Sequence, residues 1–147
     1  MINTNKKMPS VTDLERADRI REILGILIEG NKKFPVIVEG KKDARALRSL
    51  GIAGEIITFH RGKSLYEFCE DIADNFTNII LLMDWDTQGE SLQKSLASNL
   101  KGHWETYATI RELLKMLCQK DVNDIEGIPK LLLRLEGMRP AEIEGLE

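Results

Sequence analysis

The sequence predicts an α/β domain, a mostly parallel sheet of about four strands wrapped by helices. Three observations carry this. Short β-branched apolar runs recur along the chain, too short to be helices. Apolar stripes at helical spacing fall between them, and two of the runs stop abruptly on acids.

In chain order, residues 1–10 are polar and are expected to be disordered. Thr12 and Glu15 form a T-x-x-E capping box, opening a helix through Leu14, Ala17, Ile20, Ile23, Leu24 and Leu27 that Gly30-Asn31 closes. Pro35 to Val38 is the first buried strand, ending on Glu39-Gly40. A helix with Ala44, Leu47 and Leu50 inward then stops at Gly51. Residues 55–59 form the second strand, and Ser64 caps the helix that carries Cys69. The third strand, Asn78 to Met83, ends on Asp84-Trp85-Asp86. Thr87 can cap a helix lined by Leu92, Leu96 and Leu100. A fourth strand is expected within Gly102–Thr106. Two helices complete the chain: one with Ile110, Leu113, Leu114 and Leu117, opened by a second capping box at Thr109 and Glu112, and one started by Pro129. Neither a repeat nor a linker interrupts residues 11–147, so they are expected to form one domain.

The 147 residues suffice for one core and little more. No apolar run is long enough to span a membrane, and the polar start is no secretory signal, so a cytoplasmic location is expected. Cys69 and Cys118 sit in apolar helical stripes and read as reduced core residues. A net charge of −3 argues against a large electrostatic footprint on DNA. Charge is uneven, however. Residues 32–48 carry a surplus of four positives and residues 121–147 a deficit of four, so a local basic rim can grip a few phosphates.

The acids suggest chemistry. In a parallel α/β sheet, ligands bind beyond the carboxyl ends of the strands, where the winding reverses. If the first and third strands are neighbours, Glu39 lies beside Asp84 and Asp86. Asp84 and Asp86 alternate about Trp85, so in extended backbone both face one side. Three such carboxylates repel each other unless a hard cation sits among them, and Mg²⁺ or Mn²⁺ suits oxygen ligands. Gly40 would let the chain turn sharply and approach a phosphate. A simpler reading makes strand-end acids helix caps; it fits Asp86, but explains Glu39 poorly.

At these residues the chain resembles the Toprim family of topoisomerases, bacterial primases, old-type nucleases and small ribosomal-RNA maturases. The first motif reads Val36-Ile-Val-Glu39-Gly40-Lys-Lys-Asp43, and the second Ile80-Leu-Leu-Met-Asp84-Trp-Asp86-Thr-Gln-Gly89-Glu90. The resemblance covers about residues 34–105 and implies a Rossmann-like three-layer fold, with residues 106–147 as a C-terminal helical part outside it. It also implies that Glu39 is a general acid or base at the metal and that Asp84 and Asp86 ligate Mg²⁺. Tyr66 and Tyr107 lie outside any topoisomerase-like domain, and primase accessory parts are absent. The small nucleases that process RNA remain the best comparison. The expected function is Mg²⁺-dependent cleavage or processing of RNA or DNA. The alternative is a non-catalytic module that binds metal and nucleic acid with a protein partner.

Gly40, Lys41, Lys42, Arg45, Arg61 and Lys63 are the candidate phosphate-binding residues, weighed against an ordinary solvated face. His60 is read as loop packing or a phosphate contact, and Trp85 and Trp104 as core. A P-loop reading of Gly62-Lys63-Ser64 fails because Ile57 stands where the loop needs glycine. A haloacid-type phosphatase fails because Gln88 stands where Thr or Val is needed.

Overall fold

The computed structural model describes residues 11–59, 62–138, 142, 143 and 145. The expected disorder of residues 1–10, and the roles of His60 and Arg61, lie outside them. In chain order the elements are α1 (Val11–Asn31), β1 (Val36–Val38), α2 (Lys41–Ser49), β2 (Ile56–Thr58), α3 (Leu65–Asn75), β3 (Ile80–Leu81), α4 (Thr87–Asn99), α5 (Ala108–Cys118) and α6 (Ile128–Leu135). A single 3₁₀ turn, Glu105–Tyr107, precedes α5.

The sheet is parallel, in the order β2-β1-β3, with Val36 opposite both Ile56 and Ile80. Side chains alternate across it as strand geometry requires. Val36, Val38, Ile80 and Leu82 pack with α1, α2, α5 and α6 on one face. Ile37, Ile79, Leu81 and Met83 pack with α3 and α4 on the other. The result is a three-layer α/β fold whose winding reverses between β1 and β3.

The described sheet has three strands rather than four. The segment expected to be the fourth closes on itself: the Glu105 carboxylate accepts the Gly102 N–H at 2.9 Å, so the chain turns instead of extending. His103 keeps one backbone bond beside β3, accepting the Ile79 N–H at 2.8 Å. β3 itself is short, but Leu82 continues its ladder by donating to Ile37 O at 2.8 Å, and all of Ile79–Met83 is buried.

Local signals acted partly as read. Ser64 caps α3, accepting the Glu67 N–H at 3.1 Å. Gly51, at φ 97°, ends α2 in the left-handed conformation. Three expected caps differ. Thr12 lies inside the described α1, Thr109 lies inside α5, and α4 is capped by Asp86 with Thr87 as its first residue. In α4 the side chain one position before Thr87, Asp86, takes the cap; α5 has no side-chain cap at all. Both cysteines are buried and free, and burial pushes the Cys118 thiol up to about 11. No helix among the described residues is long and apolar enough to cross a membrane.

Candidate metal and nucleic-acid site

Because β1 and β3 are adjacent and parallel, their carboxyl ends deliver Glu39 and Asp84 to one rim. The two acids feel each other. Asp84 is 8% exposed, and its pKa is raised to about 7. Burial is the main cause, reinforced by the charges of Asp43, Glu39 and Asp124 and opposed by a hydrogen bond from Ile125. Glu39 is half-buried, with one carboxylate oxygen shut off from solvent.

Asp86 sits differently. It is exposed, and its Oδ1 accepts the Gly89 N–H at 2.7 Å, so the capping role is real. The extended backbone does not continue to it. Trp85 packs on the same face as Leu82, where strict alternation would send it with Met83. A bend at Trp85 and Asp86 therefore gives the two aspartates separate surroundings.

The second motif glycine has a steric cause. A Cβ on Gly89 would lie 2.2 Å from the Asp84 carbonyl oxygen, so only glycine lets α4 start this close to the strand end. Gly40 has no such need. Its backbone is extended at φ −150°, and a Cβ there would meet nothing within 4 Å. The chain does bend at Glu39 and Gly40, but the bend does not require glycine; Gly40 leaves open space beside Glu39.

The sequence reading missed how much of the rim the C-terminal third builds. The 121–127 loop stitches both strand ends together. Ile125 N–H donates to Asp84 Oδ1 at 2.9 Å, and Glu126 N–H donates to the Asp43 carboxylate. Trp85 donates twice into the same loop, N–H to Asn123 O at 2.9 Å and indole Nε1 to Val122 O at 2.7 Å. Arg111 was missed too. It is 2% exposed, and its guanidinium donates to Met83 O, Asp84 O and Glu90 Oε1, each at 2.7 Å. No local pattern marks it, because its partners lie 21 to 28 residues away in the chain. The apolar stripe of α5 concealed it.

The basic candidates divide between two clefts on opposite faces. Lys63 lines a cleft of about 640 Å³ with Glu39, Phe59 and the α4 side chains Thr87 and Ser91. Lys63 also pairs with Asp71. Lys42 and Arg45 instead line a groove of about 780 Å³ between α2 and α6, with Glu126 and Lys130. Lys41 is exposed at the first turn of α2.

The donor set fits a hard divalent ion. It is all carboxylate oxygen, and Asp84 and Asp86 each commit one oxygen to a backbone N–H, leaving the other without a bond to the described residues. No three His, Cys, Asp or Glu among the described residues gather tightly enough to cage a metal unaided. An ion held here would need water or substrate oxygens, as Mg²⁺ commonly does.

Residues 34–117 match the Toprim domain family. The chain belongs to the Toprim family. It is similar to the UPF0292 protein of Methanosarcina barkeri, 35% identical over 129 residues that cover 80% of this chain and 86% of that one. The UPF0292 protein of Methanosarcina acetivorans is 39% identical over 127 residues, with 80% and 85% covered. A solved structure of an Aquifex aeolicus protein superposes with TM-score 0.55 and 25% identity over 71% of this chain and 94% of that one. A Toprim domain is a metal-binding, nucleic-acid-processing module, and the match contains both acid motifs.

Proposed function

We propose that the chain carries out Mg²⁺- or Mn²⁺-dependent phosphoryl transfer on nucleic acid, an endonuclease-like cleavage or processing of RNA or DNA. The observation that supports it most is the pairing of Glu39 with Asp84 across the β1–β3 switch point, where burial and neighbouring acids push Asp84 up to about 7. A cation at this position would relieve the repulsion that the buried acid otherwise bears.

In this reading Asp84 and Asp86 hold the metal, with Glu39 beside them. A bound ion would supply positive charge to a phosphate there. Glu39 moves the proton, taking it from the attacking oxygen or giving it to the leaving one. Arg111 holds the Asp84 main chain in place, and the 121–127 loop keeps bulk water from that side of the acid. Lys41, Lys42, Arg45, Arg61 and Lys63 hold flanking phosphates, with Gly40 leaving the backbone accessible beside them.

Purified chain should cleave single-stranded or structured RNA or DNA in Mg²⁺ or Mn²⁺ and stop when EDTA is added. Glu39→Gln keeps shape and hydrogen bonding but removes the proton acceptor. It should retain binding while losing about two orders of magnitude or more in cleavage rate. Binding without cleavage of any substrate would transfer the assignment to a non-catalytic module that acts with a partner protein. Absence of both would overturn the reading.

A further inference from the structure

The cleft that Glu39 lines and the groove that begins at Lys42 differ in chemistry, and the difference describes a substrate. The first cleft lies on the α3/α4 face. Thr87, Ser91 and Ser95 line it from α4, spaced four residues apart and therefore on one helical stripe. All three are exposed, so a row of hydroxyls faces the ligand space. Phe59 and Leu92 supply its apolar part. Phe59 is braced by Phe68, ring centroids 5.1 Å apart and planes at 78°, which fixes the ring as a platform. The only basic residue lining this cleft among the described residues is Lys63, whose charge is already met by Asp71. Beside that one cation the lining offers a ring and a row of hydroxyls, the partners of a base and a sugar.

The second groove lies on the opposite face, between α2 and α6, and begins three residues from Glu39 at Lys42. Lys42 and Arg45 are exposed along it, Lys130 lines it too, and Arg21 pairs with Glu136 through two bonds of 2.6 Å. Glu126 lies at the end nearest the acids, where its own N–H meets Asp43. Cations along a groove suit phosphates and read no sequence.

We propose that the substrate is single-stranded where it meets the site, and that the strand lies across the carboxyl edge of the sheet. One nucleotide sits in the α4 cleft, its base on Phe59 and its sugar against the Thr87–Ser91–Ser95 row. The flanking phosphates run into the α2–α6 groove on Lys42 and Arg45. This rests on the nucleic-acid reading above and adds the form of the substrate. A paired base is stacked within its helix and cannot present its face to Phe59, so a duplex leaves the first cleft unfilled.

The test uses full-length Glu39→Gln chain in Mg²⁺, where cleavage is suppressed, with fluorescently labelled single-stranded RNA, single-stranded DNA and a blunt duplex of one sequence. Anisotropy titrations at several salt concentrations should show either single strand binding about tenfold or more tighter than the duplex. Phe59→Ala should weaken single-strand binding roughly five- to hundredfold, the range of base–aromatic stacking, without changing the salt slope. Phe59→Trp should retain the affinity, and Phe59→Leu, which keeps bulk for folding, should lose it. Lys42→Ala and Arg45→Ala should each reduce the slope of log affinity against log salt by about 0.7. Equal or tighter duplex binding with the same Lys42 dependence would overturn the single-strand proposal and leave the cleavage reading standing. Wild-type affinity in Phe59→Leu would also overturn it. Binding of none of the three would overturn both.

Discussion

The ends of β1 and β3 carry acids of the same chemical kind and use them differently. At β1, Glu39 borders an open cleft, and the glycine after it leaves clear space. At β3, Asp84 is closed in by Gly89, Arg111 and the 121–127 loop. Asp86, two residues on, is exposed and caps α4. Position at a strand end therefore does not assign a role. The neighbours do, by deciding whether a carboxylate is solvated, bonded or pressed against other charge.

The largest expected effect breaks the closed end. Arg111→Met removes the donor to two buried carbonyls and leaves Glu90 with Lys115, 3.2 Å away. The loss should be about 3 kcal/mol in urea denaturation, since buried acceptors left unmade are costly. Arg111→Lys keeps the charge but not the fork, and should recover only part of it. Equal stability of Arg111→Met and wild type would mean that the β3 end holds itself.

A second experiment sharpens the contrast through pH. Asp84 titrates at about 7 in the fold against 3.8 for an ordinary aspartate, so its raised pKa makes the protonated form the one the fold favours. From about pH 4 to about pH 7 the unfolded chain gives up this proton while the folded chain keeps it. In EDTA, stability from this group should therefore be full below that window, fall across it and level off above it. Asp84→Asn still accepts the Ile125 N–H and mimics the protonated acid. It should flatten the slope and raise the midpoint at pH 8, by about 2–4 °C per kcal/mol gained. The same substitution should weaken Mg²⁺ binding, and wild-type affinity for Mg²⁺ should rise with pH through this range as the proton is displaced. A wild-type and Asp84→Asn pair with parallel pH–stability curves would show that Asp84 is ionised throughout.

The smallest effect separates the two uses of Asp86. Asp86→Ala should cost about 1 kcal/mol through loss of the α4 cap, while Asp86→Asn, also a good cap, should cost little. Isothermal titration should show both weakening Mg²⁺ binding. If Asp86→Asn binds Mg²⁺ as well as wild type, Asp86 is a cap alone.

Much of this was legible in advance. The β-branched runs and the helical stripes between them define the alternation of strands and helices, because each period belongs to one geometry. The two acid motifs placed Glu39 and Asp84 at strand ends, and the connection rules permitted β1 and β3 to be neighbours, which the sheet order shows them to be. Local capping signals were less dependable. Thr12, Thr87 and Thr109 each fit a capping pattern, yet each lies within its helix, because start positions are set by packing to within a residue or two.

Other features needed the folded chain. The Gly102–Thr106 segment lies beside β3 through the Ile79–His103 bond, but the Glu105 carboxylate folds it back before a ladder can extend. Arg111 and the Ile125 N–H reach Asp84 from 27 and 41 residues away, so no local pattern announces them. Lys42 and Lys63, grouped together by sequence reasoning, line grooves on opposite faces of the sheet. Sequence by itself determined which groups stand at the strand ends, since periodicity and turn chemistry are local. Tertiary structure alone decided which of them are buried, which are bonded and which cleft each one faces, because burial and charge depend on groups brought together from distant parts of the chain.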